Sequence, residues 1–280
     1  MSSPLRVTLV QVGYGDDEPV PDRTARVVDL VRSVCSRTSV HGASAAENPP
    51  RLVVLPELWA QTGFGYQGWE ERAEPLDGPT SAAMSTLARE CGIWLHAGSL
   101  VEQLEVPGDE GKSLSNTSVF FGPDGHRVSV YRKIHRFGFG TGEPRLMEAG
   151  KELALVSLPG QRRAALSTCY DLRFPELYRR QLDEGAEVFI VPAAWPAPRV
   201  GAWTLLGRAR AIENQCFLLA CNTAGTHAGT VMGGRSQVVS PMGEVLAEAG
   251  TEEEIIDVTI DLDVVQEARA AFPVLADRRL

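Results

Sequence analysis

The sequence predicts an α/β fold in which mixed sheets are covered by helices. Continuous apolar runs such as RLVVLPE (51–57) and EVFIVPAAW (187–195) read as strands buried on both faces. Segments of helical periodicity alternate with these runs, and hairpin signals such as GPDG (122–125) interrupt the alternation, so the sheets cannot be purely parallel.

The first strand is expected over Arg6–Val12, and a helix over Asp22–Arg37 with Ala25, Val28, Val31, Val34 and Cys35 on one face. The Ala/Ser/Asn/Pro stretch 39–50 reads as a loop, RLVVLPE as the second strand and the Gly- and Trp-rich segment 59–72 as another loop. A helix from Thr80 to Cys91 and strand 93–100 follow, then a hairpin of strands 115–121 and 126–133 around GPDG. The Gly-rich segment 134–152 reads as a long loop, and strands 152–158 and 162–168 flank the turn PGQ. Helix 174–185 has Pro175 in its first turn. Strand 187–195, helix 201–214, strand 216–222, the two arms of 236–250 around PMGE and strand 253–261 complete the series. All 280 residues are read as a single domain, with a tail at 270–280 that packs on a neighbour or stays loose.

With 44% apolar residues the chain can fill a sizeable core, and its net charge of −9 opposes non-specific attraction to nucleic acid or an anionic membrane. The opening MSSPLRVTLVQV is too brief for a secretory apolar region, and nothing later approaches the roughly 18 apolar residues of a membrane span, so a cytoplasmic address is expected. The five cysteines are odd in number and scattered without CxxC spacing, which argues against a disulfide framework or a metal site. Of 27 basic residues only Lys112, Lys133 and Lys151 are lysine. A lysine kept against such a bias is a candidate for a task arginine cannot perform.

Cys169 ends the strand AALST and stands where the next helix begins, a turn that displays a nucleophile at the sheet edge with helix-start N–H groups aimed toward it. Those donors are expected to lower the thiol pKa and to hold an oxyanion. A thiol also needs a base or a positive field, and none of the histidines lies in a recognisable cysteine-protease context. Glu57, at the carboxyl end of a buried strand, and Lys133, closing VSVYRK, supply a candidate base and a candidate point charge.

The strings VLPELW, YRKIH and CYDLRFPE, in that order and spacing, resemble the nitrilase superfamily of carbon–nitrogen hydrolases. The likeness continues through VTLVQV (7–12), GRARAIENQCFLLACN (207–222) and SQVVSPMGEVL (236–246). The resemblance implies Glu57 as base, Lys133 as oxyanion stabiliser, Cys169 as nucleophile and the Tyr170 N–H as a second oxyanion donor. It implies a second glutamate beside the lysine, which Glu148 in RLMEAG fits best, with Glu143 in TGEP as runner-up. It also implies a four-layer α-β-β-α sandwich of two mixed sheets, assembly as a homodimer or higher homo-oligomer, and chemistry without metal or organic cofactor.

Within the superfamily, YRKIH, CYDLRFPELYR and RARAIENQ look most like the Nit-type amidases, which implies a small amide substrate: the ω-amide of a 2-oxo acid, or deaminated glutathione. The chain departs from that branch at HRFG (135–138), where HLFD is usual, and at Arg235, where a histidine is common. Arg173, at the start of a helix whose dipole does not favour it, is expected to clamp a substrate carboxylate or to pair with Glu176. The alternatives are an N-carbamoyl amino acid hydrolase, an aliphatic nitrilase, or an inactive relative serving as a binding module.

Overall fold

The computed structural model describes residues 3–36 and 49–279. The loop expected at 39–50 therefore lies, except for its last two residues, outside the described residues, as do Arg37 and Leu280.

A seven-stranded sheet contains β1 (Pro4–Gln11), β2 (Arg51–Val54), β3 (Trp94–Gln103), β4 (Leu114–Phe121) and β5 (Arg127–Arg132). The second sheet has six strands: β6 (Ala154–Leu158), β7 (Arg162–Leu166), β8 (Val188–Pro192), β9 (Phe217–Cys221), β10 (Gln237–Val239) and β11 (Val245–Glu248). The last strand, β12 (Glu254–Asp261), returns to the first sheet beside β1, and Met147–Glu148 adds a short parallel strand against β4. β1, β2 and β3 run parallel while β4, β5 and β12 are antiparallel to their neighbours; in the second sheet β7, β8 and β9 are parallel and the flanks antiparallel. Both sheets are therefore mixed, as the interrupted alternation predicts.

The period of two along each strand divides its side chains between two cores. Leu52 and Val54 of β2 share one cluster with Val188 and Ile190 of β8 and with Leu219 of β9. Val53 and Leu95 instead meet Val27 and Val31 of α1 (Val20–Ser36) and Met84 and Leu87 of α2 (Pro79–Cys91). Phe189 and Leu218 likewise meet Leu177 of α3 (Pro175–Asp183) and Trp203 of α4 (Val200–Asn214). No described helix is long and apolar enough to cross a membrane.

Two expectations change. Segment 134–152 is not all loop, since it holds a helical turn at Glu143–Leu146 as well as the Met147–Glu148 strand. The described part of the tail is not loose, while residues 271–274 keep exposed side chains. Leu275 packs on the cluster under α3 and α4, Arg278 pairs with Asp183 at 2.7 Å, and Gln215 donates to the Phe272 carbonyl at 2.8 Å.

The carboxyl end of β2 is fixed from both sheets, because the Glu57 N–H donates to the Ala193 carbonyl beyond β8 and the Leu58 N–H to the Ser99 carbonyl. β3 accommodates this approach by a break in register between His96 and Ser99, where Gly98 adopts φ +73°. A Cβ on Gly98 would stand 2.0 Å from the Pro56 carbonyl oxygen. Gly98→Ala is therefore expected to lower the urea midpoint by the equivalent of about 2–5 kcal/mol. An unchanged midpoint would show that the Pro56–Glu57 segment yields freely.

Candidate active site

A nucleophile acts from a fixed backbone, and Cys169 is held at φ +48°, a left-handed conformation that disfavours every residue with a Cβ. The turn Cys169–Arg173 is a 3₁₀ segment leading into α3. Asp171, fully buried, fastens it: its carboxylate accepts from the Thr168 N–H at 2.9 Å, the Tyr131 hydroxyl at 2.7 Å and the His135 N–H at 2.9 Å. The His135 ring reaches the same carboxylate through Nδ1 at 2.8 Å and stacks on Phe174. Burial, and then the Asp171 charge, drive the Tyr131 phenol far above its ordinary pKa, so it stays a donor.

Lys133 leaves β5 and is 1% exposed. Its Nζ donates to Glu57 Oε1 at 2.8 Å and to both oxygens of Glu143 at 2.9 Å. Burial alone would discharge this ammonium, but the Glu143 and Glu57 carboxylates outweigh it and carry the lysine well above its usual range. Burial raises the Glu143 carboxyl, against the pull of Lys133. The second oxygen of Glu57 accepts from the Ala194 N–H at 2.8 Å, while Asn116 bridges the two glutamates with Nδ2 at 2.8 Å from Glu57 and 2.6 Å from Glu143.

The Cys169 thiol lies beside Glu57 in the same cleft. The expectation that helix-start donors would lower its pKa is overturned. Burial and the Glu57 charge push the thiol well above its ordinary value, and Lys133 only partly opposes them. The resting sulfur is protonated and faces a carboxylate able to take its proton. The Tyr170 N–H has no backbone or side-chain acceptor among the described residues, which leaves it available to an oxygen formed next to the sulfur.

These groups line one cleft with Arg173 and Arg199, walled by Phe64, Phe137, Tyr170 and Trp195. The Arg173 guanidinium lies 4.8 Å from the Trp195 ring centroid and that of Arg199 lies 5.2 Å from Phe137. Neither has a carboxylate partner within 4.0 Å among the described residues, so the alternative pairing of Arg173 with Glu176 is absent. The Trp195 wall is itself fixed by Asn222, which accepts from its N–H at 2.6 Å and donates to its carbonyl at 3.1 Å.

Glu148 is not the second glutamate. Its Oε1 turns to the N–H groups of Glu110 and Lys112, at 2.7 and 3.1 Å, and Glu143 occupies the place beside Lys133. The physical reason is the backbone: Glu148 belongs to the short strand beside β4, whereas Gly142 at φ +73° folds Glu143 back toward the lysine. Of the two departures from the branch pattern, HRFG contributes Phe137 to the cleft, whereas Arg235 pairs with Glu248 at 2.5 Å and does not line it. Sequence reasoning misses Asn116, Asp171 and Arg199. The polar run SNTS inside a strand carries a signal for Asn116, since all four residues are buried. Among the described residues, no three His, Cys, Asp or Glu side chains converge as a metal cage.

The carbon–nitrogen hydrolase family model matches residues 6–270. The chain is 43% identical over 278 residues to the 2-oxoglutaramate amidase of Paenarthrobacter nicotinovorans, covering 98% of this chain and 90% of that protein. It resembles the crystal structure of Saccharomyces cerevisiae Nit3, a member of branch 10 of the nitrilase superfamily, with a TM-score of 0.84 and 27% identity over 99% of this chain and 97% of that one. It also resembles a mutant of the amidase from Nesterenkonia sp. AN1 that shows the result of Michael addition of acrylamide at the active-site cysteine. That likeness has a TM-score of 0.73 and 26% identity, over 97% of this chain and 99% of the other.

The brace and the thiol can each be tested in solution. Asp171→Ala strips four donors of their acceptor, two of them fully buried, and is expected to cost about 3–5 kcal/mol in urea unfolding, whereas Tyr131→Phe, which removes one donor, costs about 1–2 kcal/mol. Equal losses would show that Asp171 is not the hub of the turn. Because a raised pKa means less thiolate at any given pH, the rate of Cys169 alkylation by iodoacetamide is expected to keep rising beyond pH 9.0. A plateau near neutrality would contradict the protonated resting sulfur.

Proposed function

The chain belongs to the carbon–nitrogen hydrolase family, and from that premise we propose that it is an amidase acting on the ω-amide of a short 2-oxo dicarboxylic acid such as 2-oxoglutaramate. One observation carries the substrate class: Arg173 and Arg199, without carboxylate partners among the described residues, share a cleft with the Cys169 thiol. A planar guanidinium suits a carboxylate held by two parallel hydrogen bonds, and a carboxylate bound there fixes the distance to the scissile amide.

Glu57 takes the thiol proton as Cys169 Sγ attacks the amide carbon. The oxyanion is held by Lys133 and the Tyr170 N–H, with Glu143 keeping the ammonium charged and aimed. The protonated Glu57 returns the proton to the leaving nitrogen and ammonia departs, leaving a thioester. Glu57 then draws a proton from water as the water attacks the acyl carbon, and the thiolate that leaves recovers that proton. No step calls on a metal or organic cofactor. The same reading takes residues 1–280 as one domain built as a four-layer α-β-β-α sandwich, cytoplasmic and homo-oligomeric, with a small amide as its partner. The core shared by β2, β8 and β9, and the helices on the other strand faces, support the layering.

The test is a panel of 2-oxoglutaramate, succinamate, propionamide, an N-carbamoyl amino acid and an aliphatic nitrile, given to wild type and Arg173→Ala. The acidic ω-amides should give the highest kcat/KM, and the substitution should abolish that preference. A neutral amide or nitrile in first place would refute the substrate class. Lys133→Arg should lower kcat by about 10²–10³, as loss of an oxyanion donor does elsewhere. A loss of less than about tenfold would remove Lys133 from that role.

A further inference from the structure

The cysteines outside the cleft differ sharply from one another. Cys216 and Cys221 are fully enclosed and donate to backbone carbonyls, Cys216 to Ala186 at 3.2 Å and Cys221 to Val54 at 3.3 Å, and burial raises both thiols. They are inert core groups. Cys35 and Cys91 are half-buried where α1 packs on α2, a contact also spanned by the Arg32–Glu90 ion pair at 2.7 Å, and their side chains lie beside each other.

Each stands at a helix end. Cys35 lies in the last turn of α1, and Cys91 is the last residue of α2, followed by Gly92 at φ +62° with open space where a Cβ would be. The surrounding charges are mixed but favour one thiolate. The Cys35 hydrogen bond, against burial, lowers Cys91 to about 7, with Arg32 and Arg51 assisting and Glu90 opposing. Cys35 is correspondingly raised, by its bond to Cys91 and by burial, with Arg51 opposing and Asp257 adding. Two sulfurs are thus held side by side, with Cys91 the one favoured as thiolate.

Cys91 lies just before β3, at the amino edge of the parallel strands, whereas Glu57 follows the carboxyl end of β2. The pair and the cleft occupy opposite edges of the sheet.

We propose that Cys35 and Cys91 form a second reactive site, a dithiol that hydroperoxides oxidise to an intramolecular disulfide joining α1 to α2. The Cys91 thiolate attacks a peroxide oxygen and breaks the O–O bond. Hydrogen peroxide then leaves hydroxide, which becomes water on protonation, and a sulfenic acid remains on Cys91. The Cys35 sulfur attacks the sulfenic sulfur, the S–O bond breaks, and its hydroxide leaves as water with the Cys35 proton. In sum two thiols and one hydrogen peroxide give one disulfide and two waters. The product ties together two helices that cover the same face of the first sheet, which restricts the unfolded chain without touching the reacting atoms.

The full chain, reduced and freed of reductant, is treated with one equivalent of hydrogen peroxide, alkylated and examined by intact mass and peptide mapping, in parallel with a Cys169→Ser variant whose cleft thiol cannot compete. The expected result in both is a loss of about 2 Da, one linked peptide pair containing Cys35 and Cys91, reversal by dithiothreitol, and a rise in Tm of roughly 5 °C or more. Cys35→Ser should prevent the link and leave Cys91 as a sulfenic acid that dimedone traps. Full alkylation of Cys35 and Cys91 after peroxide, a link to any other cysteine, or a link only between two copies of the chain would overturn the proposal. An unchanged Tm with the link formed would overturn the tie between the helices.

Discussion

A buried ammonium between two carboxylates is the constraint on which the cleft depends. Lys133 could not remain charged in so enclosed a place unless Glu57 and Glu143 stood 2.8 and 2.9 Å from it. Asn116 donates to both glutamates, at 2.8 and 2.6 Å, and together with the lysine fills their hydrogen-bonding needs in the buried site. The four side chains come from the end of β2, the end of β5, the middle of β4 and the helical turn after Gly142. A charge cluster of this kind contributes little net stability, because desolvation offsets most of the attraction. What it gives is placement, since a buried charge that loses a partner has nowhere favourable to go.

The thiol follows from the same arrangement. The cluster beside Cys169 holds two carboxylates against one ammonium, and the sulfur keeps its proton at rest. In the proposed mechanism reactivity is therefore tied to the moment when Glu57 accepts that proton and its own charge disappears. The positive field of Lys133 is then shared by one carboxylate fewer and is available to the sulfur and to any oxygen developing beside it.

Much of this is legible in the sequence, and the exceptions have a physical pattern. Glu57, Lys133 and Cys169 stand at the ends of strands, where periodicity places a residue at a sheet edge, and the rarity of lysine singles out Lys133. The choice between Glu143 and Glu148 depends on the path of the chain through Gly138, Gly140 and Gly142, all at positive φ, and apolar periodicity is silent about such a path. Asn116 is hidden because a polar residue inside a strand normally faces water, whereas here it faces two buried carboxylates. Arg199 is hidden because a turn arginine reads as a surface charge until Trp195 and Phe137 are seen to wall its surroundings. The anchoring of the tail is invisible to local reading because its partners, Asp183 and Gln215, lie far away in sequence.

The left-handed backbone at Cys169 sets chemistry and durability against one another. Glycine would occupy that conformation without penalty, while any side chain pays about 1 kcal/mol there. A lineage that no longer needed the reaction would have a downhill step open at this one position, and the Asp171 brace beneath the turn would lose its purpose along with the sulfur. Cysteine thus holds its place in the cleft at the expense of backbone ease, as Leu58 at φ +47° does just beyond β2.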